Sequence, residues 1–76
     1  MMKRLSEFKI GERGIVVTVD CEPSVVRRLN DMGVFPGVEI KVVRFAPMGD
    51  PMQIEIRGYM LALRKNEASN IMVEVK

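Results

Sequence analysis

The residues able to do chemistry are few in this sequence, and they are widely spaced. Histidine is absent, so general acid–base catalysis near neutral pH lacks its usual group. No serine or cysteine has an obvious base close by, and no pair of carboxylates stands out. Gly33 and Gly37 are better explained by turns than by a phosphate-binding loop. We therefore predict that the chain is not an enzyme.

Cys21 is the only cysteine. It cannot form a disulfide within the chain, and it cannot build a zinc site alone. Asp20 and Glu22 flank the thiol, and their negative charges should disfavour the thiolate. We interpret Cys21 as an unreactive thiol at a loop.

Asp50 raises the question of a metal. It lies between Gly49 and Pro51 in a turn-rich stretch, where its carboxylate could offer an oxygen ligand. The alternative, which we favour, is that it hydrogen-bonds its own turn, as Asp beside Gly and Pro often does. We expect no cofactor. Weak binding of a divalent cation stays open. Such a site would consist of carboxylate and carbonyl oxygens, which are weak and poorly selective ligands for Fe(II).

Length and charge narrow the class of protein. Seventy-six residues make one domain, which we place over residues 1–76. No apolar stretch approaches the roughly 18 residues of a membrane span. The basic N-terminus lacks the apolar region of a signal peptide, so we expect a cytoplasmic protein with no direct membrane insertion. The 12 basic and 10 acidic residues alternate in sign along the chain, which makes nucleic-acid binding an unfavoured alternative.

Turn signals divide the chain into five predicted strands, because β-branched or alternating apolar runs lie between them. The turns are assigned to Gly33, Pro36, Gly37, Gly49, Pro51 and Gly58. Pro23 and the apolar spacing after it predict a helix over about 23–32, and the polar run 65–70 predicts one helical turn. These elements indicate a mainly β fold, a small closed five-stranded barrel with one inserted short α-helix.

Alternation also predicts which side chains point into the barrel. In the later strands the inward positions are Val38, Ile40, Val42, Met52, Ile54, Ile56, Leu61, Leu63, Ile71, Val73 and Val75. In the first strand we expect Ile15, Val17 and Val19 to face inward. We expect Leu5, Phe8 and Ile10 to fill one end of the core.

Seven methionines are many for this length. Met32 and Met52 fall on inward positions, and three others do not. Methionine adapts to irregular partners, and an exposed apolar patch is typical of an interaction site. The outward apolar set consists of Val43, Phe45, Met48, Tyr59, Met60 and Met72. Cover of these positions by the helix or the N-terminal segment is an equally weighted alternative.

The order of these motifs resembles the FeoA family. The resemblance is carried by Arg28-Leu29, Met32-Gly33-Val34, Pro36-Gly37, Ala46-Pro47, Gly49-Asp50-Pro51 and Leu61-Ala62-Leu63-Arg64. It covers essentially the whole chain and is specific as an ensemble. It implies an SH3-like barrel with an inserted helix. It also implies a small cytosolic accessory protein of bacterial ferrous iron uptake that acts on FeoB, a membrane transporter with a cytosolic GTP-binding domain. It brings no catalytic residues.

From the resemblance and the outward residues we expect a non-enzymatic module that binds the cytosolic part of FeoB at the inner face of the cell membrane. A homo-oligomer stays open. The residues predicted to contact the partner are Arg27, Arg28, Phe45, Pro47, Met48, Asp50, Tyr59, Met60 and Met72. Two alternatives also stay open: a small nucleic-acid-binding barrel, and an isolated barrel of the kind found in DtxR-type metal-dependent repressors, although no winged-helix segment precedes it in this sequence.

Overall fold

The computed structural model describes residues 1–76 as a mainly β fold with two short helices. Six strands, a 3₁₀ turn and two α-helices follow one another along the chain. In chain order they are β1 (Met2–Arg4), the 3₁₀ turn (Leu5–Glu7), β2 (Arg13–Val19), α1 (Pro23–Asp31), β3 (Glu39–Phe45), β4 (Met52–Ile56), β5 (Tyr59–Leu63), α2 (Lys65–Ala68) and β6 (Ile71–Val75). Neither α-helix reaches the length and apolar content that crossing a membrane requires.

The strands form one antiparallel sheet in the order β1-β6-β2-β3-β4-β5. The mainly β prediction is confirmed, but five strands is one too few. The missed strand is β1, which is only three residues long and carries Lys3 and Arg4, so it shows no apolar alternation. The expected closure of the sheet is incomplete, because β1 and β5 each have a single hydrogen-bonded neighbour.

One hydrophobic core fills the inside of the curved sheet, and the predicted inward faces of β3 to β6 are confirmed. Their side chains are buried or pack against the buried cluster. Leu29 of α1 joins the core with no exposed surface. Leu5 and Phe8 are buried as predicted, but Ile10 is 64% exposed. Ile10 lies in the loop before β2, outside the buried cluster.

Strand β2 breaks the simple alternation. A β-bulge against β6 shifts the register between Val16 and Thr18, and such an extra residue reverses which side chains point inward beyond it. Val16 is buried before the bulge, Val17 and Thr18 are both exposed at it, and Val19 packs on the core after it. The expectation that Ile15, Val17 and Val19 share the inner face is wrong.

Helix α1 ends where the sequence predicted it should. Val34 N–H donates to the carbonyl of Leu29 (2.8 Å) and Gly33 N–H to that of Asn30 (3.0 Å), which is the paired arrangement of a Schellman motif. Gly33 has φ +95°, a conformation that other residues rarely adopt. The chain leaves this helix end through a tight turn closed by Val38 N–H on the carbonyl of Phe35 (3.2 Å).

Candidate interaction surface

The β4–β5 hairpin brings its turn against the end of α1. Its two turn residues, Arg57 and Gly58, both have positive φ, as a type I′ turn requires. The hydroxyl of Tyr59 donates a hydrogen bond to the carbonyl of Met32, and the Arg57 guanidinium lies 5.4 Å from the centre of the Phe35 ring. This end of the hairpin is therefore tied to the α1–β3 connection.

Tyr59 was predicted as a partner contact, and the structure gives it an intramolecular role as well. Its ring is partly exposed, but its hydroxyl is engaged with Met32. A substitution at Tyr59 would change both the exposed surface and the helix end.

The loop between β3 and β4 is closed on itself and attached to α2. Ala46 N–H donates to the carbonyl of Pro51 (2.9 Å), and Gly49 N–H donates to that of Ala46 (2.7 Å). The Asp50 carboxylate accepts a hydrogen bond from the backbone N–H of Lys65, the first residue of α2 (2.9 Å). Asp50 therefore holds α2 against the loop, rather than bonding within its own turn as we expected.

A shallow apolar groove runs along the same loop. It is lined by Arg44, Phe45, Ala46, Pro47, Pro51 and Gln53. Two predicted contact residues, Phe45 and Pro47, thus lie together. Phe45 was expected on the side of Val43. A bulge between Val42 and Arg44 places it opposite the buried Met52, with its ring packed partly on the core.

Two lining residues of the groove were missed in the sequence. Arg44 and Gln53 pair across β3 and β4, and the Arg44 side chain donates to the Gln53 side-chain oxygen. Gln53 alternates with the inward Met52 and Ile54, which could have placed it on the outer face. The position of Arg44 depends on the bulge, and no pattern in the sequence predicts a bulge there.

The outward methionines do not form a single patch. Met48 stands at the tip of the loop with 92% of its surface exposed, and Met60 lies on the edge strand β5 with 47% exposed. Met72 is on β6, separated from β5 in the sheet by β2, β3 and β4. The structure therefore groups Phe45, Pro47 and Met48 at the end of β3 and on the loop that follows it, with Met60 on the edge strand β5 and Met72 apart from them.

The two predicted helix arginines differ in their surroundings. Arg28 forms an ion pair with Glu67 of α2, whereas Arg27 is exposed and forms none. Cys21 lies between these helices, in a cleft that is lined also by Val25 and Asn66.

The Cys21 thiol has a raised pKa, as its neighbours suggested. Burial is the largest cause, followed by the charge of Asp20, and the positive charge of Arg28 opposes both. The charge of Asp20, which the sequence indicated, therefore raises the pKa of the thiol less than burial does. A raised pKa leaves less thiolate at neutral pH, and the thiolate is the form that reacts and binds metals.

No three His, Cys, Asp or Glu side chains come together as a group able to hold a metal ion. The cleft at Cys21 also holds Glu22 and Glu67, but the raised pKa of the thiol disfavours its nucleophilic form, and the loop groove holds no carboxylate. The candidate binding features lie on the surface: the edge strand β5 and the groove along the loop between β3 and β4.

Six antiparallel strands in this order around one small core, with two short helices, define a mainly β domain of the SH3-like class. Comparison with known proteins gives the family. The FeoA domain model matches residues 3–75, and the chain belongs to the FeoA family. It is thus a FeoA-like accessory domain of ferrous iron transport.

The relatives agree in fold and differ in length. The chain is 47% identical to the FeoA protein of Chlorobium tepidum, with a TM-score of 0.91 over 95% of this chain and 69% of that one. It is 28% identical to Stenotrophomonas maltophilia FeoA in complex with zinc, a prokaryotic SH3 domain protein, with a TM-score of 0.79 over 93% and 88% of the two chains.

A longer relative joins two components in one polypeptide. The chain is 36% identical over 72 residues to an Fe(2+) transport protein A/Fe(2+) transporter FeoB fusion protein of Porphyromonas gingivalis. The match covers 95% of this chain but only 8% of that protein. A manganese-dependent transcriptional repressor shares the fold alone, with 18% identity and a TM-score of 0.88 over 42% of its length.

Proposed function

We propose that this chain is a non-enzymatic accessory module that binds the cytosolic part of a FeoB-type ferrous iron transporter. The observation that carries the proposal is the fusion relative, in which a segment similar to this chain is covalently joined to FeoB. A covalent link makes the encounter of two modules intramolecular and raises their effective concentration. Such a link is useful where the two parts must act together.

The surface that suits this role is the loop groove with its neighbouring edge strand. Met48 and Met60 are exposed apolar side chains, and methionine accommodates irregular partner surfaces. Phe45 and Pro47 line the groove beside them. On this proposal the module works in the cytoplasm and reaches the inner face of the membrane through its partner.

The test is a pull-down of this protein with the cytosolic domain of a cognate FeoB, with and without a non-hydrolysable GTP analogue. Capture that depends on nucleotide supports a regulatory role in which the module senses the switch state of the transporter. Capture in both states supports a tethering role. Absence of capture in both states, and with the full-length transporter in detergent, would overturn the proposal.

A further inference from the structure

The two edges of the sheet differ in how well they are protected. Strand β1 is three residues long, and its central Lys3 is ion-paired with Glu12. Short length and charge are the usual devices that keep an edge strand from pairing with another chain. Strand β5 has five residues, Tyr59–Leu63, with no charged side chain among them. The edge of β5 is therefore the open one.

The register shows which backbone groups of β5 are free. The type I′ turn makes Ile56 and Tyr59 the hydrogen-bonded pair that closes the hairpin. Bonded and non-bonded pairs alternate along an antiparallel ladder. The N–H and C=O groups of Met60 and Ala62 therefore point away from β4. Neither residue takes part in any backbone hydrogen bond outside the strand ladders.

Cations stand at both ends of this edge. Arg57 precedes β5, and Arg64 and Lys65 follow it, all three exposed. Arg64 and Lys65 form no ion pair. Between the two charged ends, Met60 and Ala62 are exposed on the outer side. The edge thus offers a short apolar centre with positive charge on either side.

We propose that β5 accepts an extended segment of a protein partner as an added strand, and that this segment carries acidic residues at both ends. Backbone hydrogen bonds to Met60 and Ala62 would supply affinity, as in other cases of strand addition. The cations would select for acidic flanks and speed the encounter. This inference rests on the proposed function in one respect, namely that the module acts by binding a protein.

A second copy of this chain fits the edge less well. Antiparallel pairing that joins Met60 of one copy to Ala62 of the other uses every outward group. In that register the Arg57 end of each strand lies beside the Arg64 and Lys65 end of the other, and like charges brought close together repel. Charge complementarity therefore favours an acid-flanked partner over self-pairing.

The test uses a synthetic nine-residue peptide with alternating Val and Thr in the centre and two acidic residues at each end. We expect saturable binding and slower hydrogen exchange at the Met60 and Ala62 amides. The same peptide with lysines at its ends should bind at least about tenfold more weakly. Failure of the acidic peptide to bind at millimolar concentration, or equal binding of both peptides, would overturn the proposal.

Two further changes separate strand addition from simple charge attraction. Ala62→Pro removes an outward N–H without breaking the ladder to β4, a position where an edge strand tolerates proline. It should weaken binding about tenfold. Backbone N-methylation of the peptide at the matching residues should do the same with the protein unaltered. Arg13→Ser, which removes an exposed cation on β2 that forms no ion pair, is the control and should leave binding unchanged. Undiminished binding of the methylated peptide would contradict strand addition.

The same variants separate this inference from the proposed function. If the FeoB domain is captured equally by wild-type protein and by Ala62→Pro, the proposed function stands and the edge is not the contact. If the acidic peptide binds the edge but FeoB is not captured in any state, the edge site stands and the partner is a different protein.

Discussion

The hydroxyl of Tyr59 donates a hydrogen bond to the carbonyl of Met32 and thereby joins the open edge strand to the end of α1. Met32 is the C-cap of that helix, where carbonyls lack partners within the helix. The same hydroxyl occupies the space beside Gly33, where an added Cβ would lie 2.4 Å from it. One side chain thus supports the helix terminus and depends on a glycine there.

Tyr59→Phe should destabilise the protein modestly without changing the fold. The substitution keeps the ring and removes only the donor to Met32. The site is partly exposed, so water can replace the lost bond in part, and we expect a loss of about 0.5–1 kcal/mol in the free energy of unfolding. Urea denaturation followed by circular dichroism measures it. An unchanged midpoint would show that the Met32 bond adds nothing to stability.

Gly33→Ala should cost more stability than an ordinary glycine substitution at positive φ. The alanine must adopt φ near +95°, and its Cβ must also displace the Tyr59 hydroxyl. Backbone strain of this kind costs about 1–3 kcal/mol, and the displaced side chain adds to it. Gly37→Ala is the matched control, because it has φ +98° with no atom within 4 Å of the added Cβ.

The loss of stability that Gly33→Ala causes beyond that of Gly37→Ala should be smaller in a Tyr59→Phe background. Without the hydroxyl, the nearest ring carbon lies 3.7 Å from the added Cβ, an ordinary contact. The two substitutions should therefore be less destabilising together than the sum of their separate effects. Strict additivity would contradict a direct clash between the two side chains.

Met60→Asp and Met48→Asp should weaken the complex with the FeoB cytosolic domain and leave the fold intact. Both side chains are exposed, so a buried charge is not created in the free protein. A carboxylate in an apolar contact loses the contact and must also be desolvated, so each variant should weaken binding about tenfold. Titration calorimetry with the purified FeoB domain measures this.

Ile10→Asp is the control for both variants. It makes the same change from an exposed apolar side chain to a carboxylate, in the loop between the 3₁₀ turn and β2. It should bind normally. If all three variants bind alike, the loop and the edge strand are not the contact surface.

The sequence predicted strand faces well wherever alternation ran without interruption, as in Met52–Ile56 and Tyr59–Leu63. It failed where the backbone inserts an extra residue. The bulges between Val16 and Thr18 and between Val42 and Arg44 change the faces on which Val17 and Phe45 lie. A bulge depends on how a strand pairs with its neighbour, and the local sequence does not predict it.

Glycine roles show the same division between local and long-range causes. The position of Gly33 followed from the helix before it and was predicted. Gly14 is buried in β2, where an added Cβ would lie 2.5 Å from the Glu74 carbonyl oxygen and from Val73. This close approach of β6 is a tertiary contact, and no neighbour in sequence signals it.

The candidate site was predicted in parts rather than as a whole. Phe45 and Met48 were named as outward apolar residues and Pro47 as a partner contact, and the three lie at the end of β3 and on the loop after it. The open edge of β5 was missed, because a closed barrel was expected. Whether a strand lies at an edge depends on strand order, and alternation carries no information on that order.

Cys21 should alkylate slowly. Burial and the Asp20 charge raise the pKa of its thiol, so the thiolate fraction at neutral pH is below that of a free cysteine. The rate with iodoacetamide should rise with pH at a midpoint above the ordinary range for a thiol. Arg28→Gln removes the opposing positive charge and should move the midpoint higher still. A rate at neutral pH equal to that of free cysteine would contradict this account.

Glu12 should make part of the stability of this protein dependent on pH. Its carboxylate accepts hydrogen bonds from the Lys3 ammonium (2.8 Å) and from the Lys9 backbone N–H (2.7 Å). The first contact, then the second, lowers the pKa of Glu12 below its usual range. A lowered folded-state pKa means that the stabilisation is present above the unfolded-state pKa and is lost as the pH falls through the folded-state value.

Glu12→Gln should therefore flatten the loss of stability between about pH 5 and pH 3. The variant should be less stable than wild type at neutral pH, and the gap should narrow in acid. Urea unfolding at several pH values measures both. Glu55→Gln is the control, because Glu55 forms no ion pair. A gap between wild type and Glu12→Gln that stays constant down to about pH 3 would show that the Lys3 and Lys9 contacts do not favour the charged carboxylate.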